Sequence, residues 1–275
     1  MEQSQNQNTP SKPQRIIKSP LRYPGGKARA VSTILGLIPE STKVLVSPFL
    51  GGGSIEIACA TRGITVFGFD NFFPLVAFWK YLLHDSRALA SKVRDFFPLS
   101  KEAFYAYQKY HFTDSIESAA VFYILNRASF SGATLSGGMS PGHPRLTESS
   151  IKYLSNFRLE NFYVDCQDFT SVFREYQSEL MYLDPPYMIE SALYGKNGNT
   201  HKDFDHYSLA NLLHNRKNWI LSYNDCEQIR SLYAEFRKFS PKWKYGMSTN
   251  KDSKELIIVS DDYSDTLWSL NAFTS

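Results

Sequence analysis

After Lys27 the apolar positions Val31, Ile34, Leu35 and Ile38 recur at i, i+3, i+4 and i+7. That spacing predicts a helix, which Pro39 stops. The short apolar run over 43–47 reads as a buried strand, a helix follows over 54–61 with Gly63 closing it, and 64–70 is a second strand ending in an acid. Strand, glycine turn, helix and acid-ended strand make a βαβ unit, and hence a parallel sheet. From 73 to 130 the period changes. Amphipathic helical stretches over 73–84, 86–97, 101–110 and 116–127 follow one another with no convincing strand between them. The segment 129–144, with four glycines and two prolines, is a loop or irregular hairpin. Strand signals resume at 162–166, 179–184, 218–223 and 255–260, with helices between. The pattern predicts an α/β sheet domain from 20–86 and 160–275, a helical, loop-rich insertion over 87–159, and a polar, Gln/Asn-rich disordered tail over 1–19.

Composition narrows the class. With 43% hydrophobic and 15% aromatic residues, the 275-residue chain buries a large core. Thirty Lys and Arg against 27 Asp and Glu exclude both a histone-like polycation and an acidic disordered activator. The net charge of +3 is unevenly placed. Residues 1–86 carry nine basic and five acidic side chains, 87–160 nine and six, and 161–275 twelve and sixteen. The flanks cancel, so the insertion accounts for the whole excess. No run of 18 apolar residues exists to span a membrane, and the first twenty residues lack the apolar stretch of a signal peptide, so a cytosolic protein is expected. Cys59, Cys166 and Cys226 lie far apart without a CxxC pair. Buried free thiols are expected, with neither zinc nor a disulfide framework.

Two glycine-bearing segments invite a ligand. The loop 47–58 follows the first strand, where open α/β sheets bind theirs. The dinucleotide fingerprint would need glycine at 56 after Gly51 and Gly53, but Glu56 stands there, which disfavours a nicotinamide or flavin dinucleotide. Asp70, ending the next strand, suits ribose hydroxyls. A nucleoside-bearing cofactor without a tightly cradled pyrophosphate fits both features; a plain structural turn is the blander account. The segment 22–27 ends in Gly-Lys, yet Leu21 and Ala28 break the phosphate-loop pattern at both ends. Lys27 at a helix start could still hold a carboxylate.

The sharpest feature is the Asp-Pro-Pro-Tyr run from Asp184 to Tyr187. The acid closes a predicted strand, and Pro185 and Pro186 fix the backbone while removing two N–H donors. An acid, an exposed carbonyl and the flat face of Tyr187 suit a planar group bearing an amine, such as the amino edge of a nucleobase. Two acceptors would take both amino protons and free the nitrogen lone pair for attack on an electrophile. The alternative is a strand end with a rigid turn.

Here the sequence resembles the Dam-like, D12 class of S-adenosylmethionine-dependent adenine-N6 DNA methyltransferases. The resemblance runs from about 20 to 260 and rests on RYPGGK, PFLGGGS, FDN at 69–71, NRASFSG at 126–132, QDF at 167–169 and LDPPY, with weaker matches at ILSYND (220–225) and KELIIVS (254–260). About 130 residues separate Gly53 from Asp184, and in this class the intervening region contains the target-recognition domain. The resemblance implies a Rossmann-like class I methyltransferase sheet with an inserted helical target-recognition domain. It implies that S-adenosylmethionine is contacted by Tyr23, Lys27 (near its carboxylate), Phe49, Gly51, Gly53, Asp70 (ribose), Asp168 and Phe169 (adenine) and Asp184. Asp184 and the Pro185 carbonyl would accept the target amine and Tyr187 would stack on the base, with direct methyl transfer and no metal. Asn126, Arg127, His143 and Arg145 are candidate contacts to double-stranded DNA, although Asn126 suits a helix brace equally. The loop 129–146 departs from the arginine- and asparagine-bearing hairpin of close Dam relatives, so the resemblance does not carry GATC as the target. A cytosolic bacterial, archaeal or phage monomer with a cognate restriction endonuclease completes the implication. The segment 191–206 could close over the flipped base. A cytosine-N4 methyltransferase and a catalytically silent nucleic-acid-binding module are the alternatives.

Overall fold

The computed structural model describes residues 17–23, 27, 30–140, 145–188, 204–241 and 255–262. The expected tail before residue 17, His143 and most of the 191–206 loop lie outside the described residues. Seven strands form one sheet: β1 (Val44–Ser47), β2 (Thr65–Asp70), β3 (Phe162–Cys166), β4 (Leu180–Leu183), β5 (Trp219–Asn224), β6 (Arg237–Phe239) and β7 (Glu255–Val259). Their order is β3-β2-β1-β4-β5-β7-β6. The pairs from β3 to β5 are parallel, while β7 runs antiparallel to both β5 and β6. This is the expected Rossmann-like α/β sheet.

The central strands read as unbroken apolar runs because helices cover both faces. Along each strand successive side chains enter opposite cores. Leu45, Tyr182, Ile220 and Ile257 join one cluster, and Val46, Leu183, Leu221 and Ile258 the other. The second face is covered by α8 (Phe169–Glu175), α9 (His206–His214) and α10 (Glu227–Leu232), through Val172, Leu213 and Ile229. The first face carries α1 (Val31–Leu37), α2 (Ser54–Thr61), α3 (Phe73–His84), α4 (Ser86–Asp95), α5 (Lys101–Tyr107), α6 (Ile116–Ala128) and α7 (Glu148–Ser155). Ser118 to Asn126 of α6 are all buried, as in a helix packed on every side. The helices of 87–159 and the sheet share a single apolar cluster.

Local chemistry sets the element ends. α1 stops at Leu37, and Ile38, ahead of Pro39, is extended (φ −80°, ψ 119°). Gly63 takes φ +86°, its N–H donates to the Ala60 carbonyl and that of Ile64 to Cys59, a Schellman end to α2. Two elements had no sequence expectation. β6 is a half-buried edge strand of three residues, Arg-Lys-Phe, too short and polar to show a period. α7 buries only Ser150, Ile151 and Leu154 and depends on a capping box at Thr147. The cysteine expectation is corrected in part: all three thiols are free, but only Cys59 is buried, and Cys166, ending the edge strand β3, is exposed. Among the described residues no helix is long and apolar enough to cross a membrane, and no group of three or more His, Cys, Asp or Glu could hold a metal ion.

Candidate active site

The chain leaves β1 for β2 and β3 on one side, then returns to β4 on the other, so a crevice opens where the carboxyl ends of β1 and β4 diverge. Expected residues from three segments meet around this switch point, joined by Tyr23 and Lys27. The loop after β1 carries Phe49, Gly51 and Gly53, Asp70 ends β2, and Asp184 and Tyr187 follow β4. The strand predicted to end at Asp184 ends at Leu183, which leaves the acid one residue beyond the hydrogen-bonded ladder.

The glycine loop is held from three directions. The Gly51 N–H donates to Asp70 Oδ2 at 3.1 Å, and Trp79 Nε1 donates to the Gly51 carbonyl at 3.1 Å. Asp70 Oδ1 accepts from the Phe72 N–H at 3.0 Å; burial holds this carboxyl above the usual carboxylate range despite those donors. Gly53 caps α2 at φ +66°, and a Cβ there would stand 2.9 Å from the Trp79 ring. The Tyr23 ring lies against Gly51 and Gly52. Glycine in this loop thus admits the protein's own aromatic rings. Phe49, Phe169 and Phe204 form a three-ring wall with centroids 5.4–5.6 Å apart. Asp168 is exposed and caps α8, accepting from the Thr170 N–H at 2.9 Å and its hydroxyl at 2.7 Å.

The charged centre is compact. Lys27 Nζ stands 2.7 Å from Asp184 Oδ1 and 2.6 Å from the Tyr187 hydroxyl, with its ammonium 5.0 Å from the Tyr187 ring centroid. Ser222 Oγ also donates to Asp184 Oδ1, at 3.0 Å. Both donors therefore hold the same oxygen, and Oδ2 is left to a carboxylate whose side chain is 22% exposed. Asn224 braces the turn after the prolines, accepting from the Met188 N–H at 3.0 Å and donating to its carbonyl at 2.9 Å. Glu255, the first residue of β7, lies 3.7 Å from Lys27 Nζ and accepts from the Tyr187 hydroxyl. Glu56, on the first turn of α2, accepts from Ser47 Oγ at 2.6 Å; burial raises it from 4.5 to about 7, an effect the Ser47 hydroxyl opposes and the Asp184 charge augments.

Sequence reasoning did not single out Ser222, Asn224 or Glu255, and marked Glu56 only as the residue that breaks the dinucleotide fingerprint. The first three lie in segments noted for their weaker match, where a strand pattern alone does not distinguish the polar residue that points at the site.

The candidate nucleic-acid contacts gather elsewhere. Asn126 is fully buried: its Oδ1 accepts from the Arg22 N–H at 2.9 Å, and its Nδ2 donates to the Arg22 carbonyl at 2.7 Å and to Thr134 Oγ1 at 3.2 Å. In this structure it braces the loop 129–139 against the segment that leads to Lys27. The approach is close, since a Cβ at Gly132 would fall 2.1 Å from the Arg22 carbonyl oxygen. Arg127 donates to the carbonyls of Arg145 (2.8 Å) and Pro20 (3.4 Å), and Arg22 to that of Ser129 (3.0 Å). Burial, with the Arg145 and Arg127 charges beside it, holds the Arg22 guanidinium below its usual range.

The chain is similar to known proteins over most of its length. A family model described as D12 class N6 adenine-specific DNA methyltransferase matches residues 23–247. Modification methylase StsI of Streptococcus sanguinis is 25% identical over 222 residues, covering 74% of this chain and 34% of that protein. Type II methyltransferase M.FokI of Planomicrobium okeanokoites is 24% identical over 215 residues, 72% of this chain and 33% of that protein. The chain spans about a third of the length of these relatives.

Proposed function

The chain belongs to the D12 class N6 adenine-specific DNA methyltransferase family, and from that premise we propose that it methylates the N6 amino group of an adenine flipped out of double-stranded DNA. A methyl donor of the S-adenosylmethionine type follows from the family. The residues present fit such a donor: a buried carboxylate at the end of β2, an apolar aromatic wall and a glycine loop at the switch point. We assign its ribose to Asp70, its adenine to the wall of Phe49 and Phe169 with Asp168, and its methionine side to Tyr23, Gly51 and Gly53. When bound, it supplies an electrophilic methyl group on a sulfonium.

The observation that carries the reading is the division of Asp184. Lys27 and Ser222 anchor Oδ1, which fixes the carboxylate plane and presents Oδ2 as acceptor for one amino hydrogen of the base. The Pro185 carbonyl takes the second, and the Tyr187 ring stacks on the purine. Drawing both hydrogens toward acceptors withdraws the nitrogen lone pair from conjugation with the ring and localises it on the amine. Much of the acceleration then comes from placement and fixed charge. Arg127, Arg145 and Arg22 supply phosphate contacts, and the helices of 87–159 form the target-recognition region; His143, outside the described residues, is assigned to DNA contact from the resemblance alone. Its likeness to modification methylases supports pairing the chain with a restriction endonuclease that reads the same site.

The test is direct. Plasmid DNA incubated with protein and labelled donor is hydrolysed and the modified base identified. N6-methyladenine is the expected product; N4-methylcytosine or unlabelled DNA would overturn the reading. Mapping the methylated positions gives the recognition sequence.

A further inference from the structure

We propose that Glu255 is a positioning residue for methyl transfer, holding Tyr187 and Lys27 in place from β7; the proposal rests on the function assigned above. Glu255 opposes Asn224 in the antiparallel pairing of β7 with β5, so its backbone is set by the sheet, not by the catalytic turn. Its side chain is 4% exposed, a costly place for a carboxylate unless its partners match it. It accepts from the Tyr187 hydroxyl and lies 3.7 Å from Lys27 Nζ. The phenol gives its hydrogen to Glu255, so the same oxygen is free to accept from the ammonium at 2.6 Å. Carboxylate, phenol and ammonium therefore form a connected set, and the ammonium continues it to Asp184 Oδ1 at 2.7 Å.

Two consequences follow for the reaction. The plane of the Tyr187 ring is fixed at its far end by a group anchored in the sheet, so the stacking face is formed before a base arrives. Glu255 and Asp184 also set two carboxylates beside the Lys27 ammonium. Methyl transfer carries positive charge from a sulfonium towards an amine, and a fixed carboxylate beside that path favours its passage. Glu255→Gln keeps the shape and removes one of the two carboxylates.

The experiment has two arms. Wild-type protein is first shown to form N6-methyladenine; its failure to do so defeats the assigned function, not this inference. Glu255→Gln, Tyr187→Phe and the double variant are then compared with wild type in single-turnover rate, donor affinity by calorimetry, and the emission of 2-aminopurine placed at the mapped target base. Glu255→Gln is expected to lower the rate at least about tenfold, to change donor affinity less than about threefold, and to alter the 2-aminopurine emission. The double variant is expected to lose far less than the product of the two single losses, because both substitutions break one contact. A rate within twofold of wild type, a loss confined to donor binding, or multiplicative losses would overturn the proposal. If Glu255→Gln does not fold, Glu255→Asp, which keeps the charge and shortens the reach, is judged by the same thresholds.

Discussion

The crevice between β1 and β4 and the arginine edge beside the 129–139 loop handle charge in opposite ways. In the crevice the Lys27 ammonium has carboxylates at 2.7 and 3.7 Å. At the edge, Arg22 and Arg127 donate only to carbonyls, and among the described residues neither they nor Arg145 pairs with an acid. Charge matched inside the protein fixes geometry. Charge left over is available to a polyanion. The insertion's net excess in the sequence thus has a local address, which the Arg22 contribution extends to the segment before Lys27.

The sharpest break of that comparison is Asp184→Ala. The crevice reading requires methylation to fall at least about 10³-fold, about 4 kcal/mol of transition-state stabilisation. Folding should persist, because Glu255 still lies near Lys27 and Tyr187 keeps its contacts with Lys27 and Glu255. A cleanly folded Asp184→Ala protein with substantial turnover, measured by label transfer, would remove the crevice from the chemistry.

Glu56 is a buried crevice carboxyl beside the Ser47 hydroxyl. Its folded-state value, about 7, lies above the usual 4.5. Its contribution is therefore complete below pH 4.5 and is lost as pH rises through 7, by about 3 kcal/mol in all. Glu56→Gln keeps an oxygen for Ser47 and removes the titration. Denaturant unfolding at pH 5 and pH 8 should show the variant gaining stability over wild type at the higher pH. Parallel profiles would mean that Glu56 is not held protonated.

Asn126 separates the two regions at the seam. Its amide joins Arg22 to Gly132 and Thr134, so Asn126→Ala strands buried backbone groups and should cost about 2–3 kcal/mol. The expected result is a lowered melting temperature with an unchanged salt dependence of DNA binding. The reverse pattern would make it a nucleic-acid contact.

How much of this was legible follows from what each element needs. β1, β2, β4, β5 and β7 are apolar runs bounded by turns, and α3 to α6 keep a helical period, so spacing alone finds them. The four-residue turn at Asp184 is legible because its chemistry is contiguous. Glu255 and Ser222 are not, because their partners are 68 and 38 residues away in the chain, and only the β5–β7 and β4–β5 pairings bring them to the turn. Asn126 is intermediate. Its position at a helix end was readable, but the choice between brace and contact depended on Arg22, 104 residues distant. β6 and α7 escaped for a different reason, since neither carries enough buried residues to impose a period.

The mildest test addresses the edge alone. Arg145 has an exposed side chain, and its structural contacts with Arg127 are made by its backbone carbonyl. Arg145→Ala therefore removes a charge without removing a brace. If that charge meets a phosphate, DNA affinity falls and the slope of log K against log salt lessens by about one. The single-turnover rate on saturating DNA stays at the wild-type value, because nothing in the crevice has moved. An unaltered slope would place the phosphate surface away from this edge, and the comparison between matched and unmatched charge would then rest on the crevice by itself.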